Sequence, residues 1–269
     1  MALTCSAVLV GSISVRGGRM RRSIAYSPPM PLADLIDDNP WPARPPDVPA
    51  VKWGWGVEGA ELLWNLVDPG ASVVMEIGSL LGGSARFWAA HCPQAHVLCI
   101  DPWIDVVTVK ERPFLQHVPE LVDVVVGRTN GLYDAFLAAN WDLQNRITPL
   151  RGYSPDRLVS VWAAGVQPDV VYVDGSHVYE DVIADLVTAR ALFPVALLCG
   201  DDYEWPAVAA AADYFAANRG DRLRRQGNTF AIERSGGTGR YAASSAVSTG
   251  PVDRSWLDRV TNRFWPRKL

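Results

Sequence analysis

From Val73 onward, short β-branched apolar runs alternate with stretches of helical periodicity, and this rhythm limits the chain to few folds. Val73-Val74-Met75-Glu76-Ile77, Val97-Leu98-Cys99-Ile100, Ile147 to Leu150, Val170-Val171-Tyr172-Val173 and Ala196-Leu197-Leu198-Cys199 read as five strands. Helices are expected at Ser84 to Ala90, Leu132 to Ala139, Val182 to Leu192 and Ala207 to Ala217, with one before the first strand carrying Leu62, Leu63, Leu66 and Val67. Strands apolar on both faces, each followed by a helix, belong to a mostly parallel sheet covered on both sides. Thr229-Phe-Ala-Ile reads as a late antiparallel strand. The fold class is α/β and doubly wound.

The flanks lack this rhythm. Residues 1–50 hold Pro28, Pro29, Pro31, Pro40, Pro42, Pro45, Pro46 and Pro49, a density that excludes regular elements and reads as an arm lying over the surface. Leu32 to Ile36 could make one short helical turn. Trp41, Trp53 and Trp55 either fold onto a pocket or pack the arm against the domain, and packing is favoured. The domain proper is set at 51–234, followed by a Gly, Ser, Thr and Ala-rich linker at 235–252. Residues 253–269 close with Trp256, Leu257, Val260 and Phe264 on one helical face among Arg254, Arg259 and Arg263. Such a helix docks on protein or makes weak peripheral contact with an anionic membrane.

Composition excludes several classes. With 25 basic against 29 acidic residues the formal charge is −4, so bulk nucleic acid is not an expected partner, despite the cluster Arg16, Arg19, Arg21 and Arg22. Cys5, Cys92, Cys99 and Cys199 form no C-x-x-C pair, which argues against structural zinc and for a reducing, cytoplasmic setting. No apolar run reaches membrane-spanning length. Ala7 to Val10 lacks the preceding positive charge of a signal peptide, and Met20 is an equally good start. Homo-oligomerisation is left open.

Four motifs carry the chemistry. Glu76-Ile-Gly-Ser-Leu-Leu-Gly-Gly-Ser84 turns tightly at Gly78 after the first strand, and Gly82 and Gly83 extend the close backbone approach to a ligand. It lacks the Gly-Lys-Ser/Thr of a phosphate loop, and Leu80 breaks G-x-G-x-x-G, which disfavours a dinucleotide and hence a nicotinamide-dependent oxidoreductase. Asp101 ends the second strand, where an acid accepts hydrogen bonds from ribose hydroxyls. Asp174-Gly-Ser-His177 follows the fourth strand and faces the ligand crevice, with Ser176 also a candidate helix cap. Asp201 and Asp202 end the fifth strand. With Asp174 they form an oxygen donor set suited to a hard cation such as Mg²⁺, or else a solvated acidic turn.

Together these residues resemble class I S-adenosylmethionine-dependent methyltransferases, which share a Rossmann-like fold. More narrowly, they resemble the branch containing macrocin- and novobiocin-type sugar O-methyltransferases. The resemblance spans roughly residues 55–232, and Asp-Gly-Ser-His-x-Tyr and Asp-Asp-Tyr are its most specific parts. It implies S-adenosylmethionine as cofactor, with Glu76, Gly78 and Ser79 at its methionine end, Asp101 at the ribose, and Trp103 and Ser154 near the adenine. It also implies a divalent metal on Asp174, Asp201 and Asp202. Pro194-Val-Ala stands where the family has Gly-Gly before the fifth strand, which alters a turn and no site residue.

The expected reaction is metal-assisted methylation of a small-molecule hydroxyl, on a glycoside or polysaccharide sugar or a catechol-like phenol. His177 is the preferred base, ahead of Asp174, because metal-bound carboxylates are weakened as bases. The expected acceptor walls are the arm, the segment from Trp103 to Trp141, and the loop after Tyr203. A hydroxylase-like relative and a non-catalytic adaptor are the alternatives.

Overall fold

A computed structural model describes residues 30–52 and 59–235. The elements run α1 (Met30–Asp37), α2 (Ala60–Leu66), β1 (Val73–Ile77), α3 (Gly83–His91), β2 (His96–Asp101), α4 (Val122–Val125), α5 (Gly131–Ala139), β3 (Ile147–Arg151), α6 (Ser154–Ala163), β4 (Val170–Val173), α7 (Tyr179–Leu192), β5 (Leu197–Gly200), α8 (Pro206–Arg219), β6 (Arg222–Gln226) and β7 (Thr229–Glu233). Trp53, Trp55, the arginines at 16–22, nearly all of the linker and the C-terminal amphipathic segment lie outside the described residues.

The seven strands form one sheet in the order β3-β2-β1-β4-β5-β7-β6. The five expected strands are parallel, and β7 and β6 close the sheet as an antiparallel hairpin. The order reverses between β1 and β4, which opens a crevice at the carboxyl ends of those strands. This is the Rossmann-like, doubly wound arrangement.

Period-two alternation sends side chains into two separate cores. Val74, Val97, Cys99, Tyr172 and Cys199 face α2, α3 and α5, whereas Met75, Leu98, Ile100, Val171 and Leu198 face α6, α7 and α8. Cys92, Cys99 and Cys199 are buried free thiols. Among the described residues, no helix is long and apolar enough to cross a membrane.

The arm is more ordered than its prolines suggest. Leu32 and Leu35 of α1 enter the second core, while Trp41 packs on the first. Between them the chain passes the outer strand β3, where the Trp41 indole N–H donates to the Ile147 carbonyl at 2.7 Å. A side-chain donor thus caps an otherwise exposed sheet edge. Trp41 also stacks on Phe136 and meets Trp141 edge-on.

Three elements escape sequence reading: the four-residue α4, helix α6 and strand β6. Helix α6 opens with Ser154-Pro155 and has only Leu158 and Val161 fully buried, so its apolar stripe is thin. Strand β6, Arg-Leu-Arg-Arg-Gln, has no buried residue and hence no hydrophobic signal.

Candidate active site

Strand register sets the site. Ile77, Ile100, Val173 and Gly200 are paired neighbours across four parallel strands. The next residue along each strand is therefore Gly78, Asp101, Asp174 or Asp201, so all four stand in one row at the mouth of the crevice. Arg151 extends the row on β3, opposite Asp101. Three acids fall in this row because each follows the paired end of its strand.

At Gly78 the chain turns with φ 90°, and a Cβ there would sit 2.0 Å from the Asp174 carbonyl oxygen. Only glycine permits this left-handed turn hard against β4. Gly82 also has φ 81°, but a Cβ there would meet the Asn140 side chain at 2.3 Å. Its close approach is thus to a buried asparagine inside the protein.

The middle of the turn is pinned at both ends of one residue. The Leu80 N–H donates to Asp101 Oδ2 at 3.0 Å, and the Leu80 carbonyl accepts the Trp103 indole N–H at 2.7 Å. The Trp103 backbone N–H returns to Asp101 Oδ1 at 2.7 Å. Trp103 itself is buried against Phe136 and Tyr133, with φ 40°. Burial pushes Asp101 above its usual range, and these N–H groups offset part of that.

Beneath the turn, Glu76 is fully buried and accepts the Ser84 hydroxyl at 2.8 Å on Oε1. Burial pushes its pKa up to about 8. Among the described residues, its Oε2 and the hydroxyl of buried Ser79 have no partner in hydrogen-bonding geometry. Buried polar atoms left unmatched are costly, and two of them beside a glycine turn fit a site built for a polar ligand.

Across the crevice, burial and then the charges of Asp201, Asp202 and Glu76 push Asp174 well above the usual carboxylate range. Asp202, at φ 62°, turns its Oδ2 to within 2.5 Å of His177 Nε2. The His177 ring lies flat on Trp205, with centroids 4.5 Å apart and planes 7° from parallel. Ser176 donates to Asp181 and accepts the Val178 N–H, which makes a side-chain turn ahead of α7, whose cap is Val178. Ser154 begins α6, and its hydroxyl donates to the buried carboxylate of Asp185 on α7.

The structure thus gathers Glu76, Gly78, Ser79, Asp101, Asp174, His177, Asp201 and Asp202 at adjoining strand ends. It places Trp103 beneath the glycine turn and Ser154 against α7. Among the described residues, no three His, Cys, Asp or Glu groups are set in ready metal-ligand geometry. The donor set still suits a hard dication, since it is all oxygen and its members repel one another.

Two cavities lie elsewhere. One of about 720 Å³ is bounded by the arm at Trp41, Arg44 and Val48 and by Arg128, Tyr133 and Arg151. It sits at β3, three strand spacings or roughly 14 Å from β4. The other, of about 400 Å³, lies between α1 and α6. None of the gathered strand-end residues lines either cavity.

Residues 75–203 match the family model of a methyltransferase domain. The matched segment starts one residue before Glu76 and ends one after Asp202, so it holds every strand-end group described above. These residues therefore form a methyltransferase domain. No curated protein matches the chain. It is similar in fold to an S-adenosylhomocysteine-bound methyltransferase from Podospora anserina, at 12% identity, covering 68% of this chain and 80% of that one, with TM-score 0.46. It is also similar to cofactor-bound Rv0187 from MTB, at 17% identity, covering 78% and 92%, with TM-score 0.45. A third similar structure is the MycE methyltransferase of the mycinamycin pathway, solved with Mg and S-adenosylhomocysteine. There the identity is 18%, the coverage 71% and 48%, and the TM-score 0.38. At these scores no residue's role carries across.

Proposed function

We propose that this enzyme methylates a hydroxyl oxygen of a small molecule, with His177 as the proton acceptor and a divalent cation at Asp174, Asp201 and Asp202. The carrying observation is the 2.5 Å contact between His177 Nε2 and Asp202 Oδ2 at the mouth of the crevice. A histidine held through one nitrogen by a carboxylate keeps the other, Nδ1, for the acceptor's proton. Glu76 and Ser79 would offer their polar atoms to the methionine end of the cofactor, and Asp101 would accept the ribose hydroxyls. When bound, S-adenosylmethionine would supply an electrophilic methyl carbon and Mg²⁺ would lower the pKa of the acceptor hydroxyl. The chain's task is then to hold the acceptor oxygen in line with that carbon and to accept its proton.

A polyhydroxylated acceptor, a glycoside or polysaccharide sugar, is favoured by the resemblance in the Asp-Gly-Ser-His-x-Tyr and Asp-Asp-Tyr motifs. A catechol-like phenol satisfies the same oxygen donors. The domain proper is taken as 51–234, with the loop after Tyr203 as the acceptor wall nearest the chemistry.

The test is turnover of glycosides and catechols with S-adenosylmethionine, with and without Mg²⁺, read as a product mass gain of one methylene. His177→Ala should lower kcat about a hundredfold or more while leaving cofactor affinity intact. Unchanged kcat in that variant would remove His177 from the reaction.

A further inference from the structure

His177 is nearly half exposed, and an imidazole on a surface loop normally samples several rotamers. Here it meets two groups from a single turn. The Trp205 N–H donates to the Asp202 carbonyl at 2.9 Å, closing Asp202-Tyr203-Glu204-Trp205 as a four-residue turn. The first residue of that turn gives the carboxylate on His177 Nε2, and the last gives the indole beneath the ring.

The turn is itself anchored. The Tyr203 N–H donates to the Asn228 carbonyl at 2.8 Å, and its hydroxyl donates to Asp213 of α8 at 2.7 Å. The Arg225 guanidinium covers the Tyr203 ring. Pro206 starts α8 directly after Trp205, which sits extended at φ −74° and ψ 122° as the helix cap. Asp202 adopts the left-handed conformation that Asp tolerates better than most residues. Strain of this kind persists where the surroundings hold it, and here they hold both jaws of a clamp.

Trp205 remains 48% exposed. A tryptophan serving only to cover the start of α8 would gain more by burying its ring. We infer that Trp205 is a positioning residue: with Asp202 it clamps His177 from the edge and from one face, fixing the direction in which Nδ1 meets the acceptor. This inference rests on His177 being the proton acceptor.

The test needs no acceptor for its first arm. The full chain is labelled with ¹³C in its histidine rings, of which there are four, and His177 is assigned by loss of its signals in His177→Gln. The His177 ring protons should be shifted upfield by the indole, lose that shift in Trp205→Leu, and keep most of it in Trp205→Phe. Carbethoxylation of His177, followed by peptide mass, should be several-fold faster in Trp205→Leu than in the parent chain. Identical ring-proton positions in the parent chain and Trp205→Leu would overturn the clamp.

In the second arm, with an acceptor from the glycoside and catechol panel, Trp205→Leu should lower kcat about tenfold with KM for S-adenosylmethionine unchanged, and Trp205→Phe should restore most of it. Loss of activity in His177→Ala with full activity in Trp205→Leu would overturn the positioning role while sparing the histidine. Full activity in His177→Ala would instead fail the proposed base and remove the ground for this inference.

Discussion

Asp101 Oδ2 accepts the backbone N–H of Leu80 at 3.0 Å, so the acid ending the second strand also holds the glycine turn that follows the first. Its other oxygen accepts the Trp103 backbone N–H, and the Trp103 indole N–H in turn donates to the Leu80 carbonyl. Asp101→Ala should therefore lose stability as well as cofactor binding, at about 1–3 kcal/mol for each charge-assisted bond removed. Asp101→Asn keeps one carbonyl acceptor and should fall between. Thermal melts beside calorimetric titrations separate the two effects. A wild-type Tm in Asp101→Ala would show that the pin does not hold the turn.

Glu76 should couple cofactor binding to proton release. Its pKa of about 8 keeps it mostly protonated at pH 7 in the protein alone. A cationic cofactor placed beside it favours the ionised form, so binding should expel up to about one proton per site at pH 7 and fewer above pH 9. Titration heats should then change with the ionisation enthalpy of the buffer. Buffer-independent heats at pH 7 would contradict this.

Asp185 should make the fold less stable as pH rises. Burial lifts its pKa to about 6, above the ordinary 3.8, with the Ser154 hydroxyl offsetting part of the effect. Between those values the folded chain holds a proton that the unfolded chain has released. The protonated form's advantage is thus full near pH 4 and lost as pH passes 6, a span on the order of 2–3 kcal/mol. Asp185→Asn, which cannot ionise, should gain Tm relative to the parent chain on going from pH 4 to pH 7. A constant difference between the two proteins would refute it.

Trp41 should fasten the arm to the sheet edge. Trp41→Phe keeps the stacking on Phe136 but removes the bond to the Ile147 carbonyl, at an expected cost of about 1 kcal/mol. Trp41→Ala removes both and should cost more. Amide exchange across β3 should rise in step, and unchanged protection there would show that the arm does not cap the edge.

What could be read from residues alone follows from how each signal arises. The five parallel strands are apolar on both faces, so their runs were visible, and the acids at their ends were found because a polar residue abruptly terminates each run. Strand β6 was not visible, because an edge strand facing solvent with arginines has no hydrophobic period. The same blindness hid α6. Trp41 was ambiguous between pocket and packing, and it does both, since it lines the cavity at β3 while stacking on the core. Trp205 was missed because its role depends on a turn that brings it back beneath a histidine 28 positions earlier, and nothing local marks that return. The bond from the Leu80 N–H to Asp101 is hidden for the same reason, since 21 positions separate the two residues.

The most direct measurement is calorimetric titration of the full chain with S-adenosylmethionine, with and without Mg²⁺, alongside Asp101→Asn. Saturable micromolar binding is expected in the parent chain, weakened about tenfold or more, roughly 1.4 kcal/mol, by the substitution. A folded parent chain that shows no saturable heat under either condition would contradict the cofactor site at the ends of β1 and β2, and with it the assignment of every residue in that row.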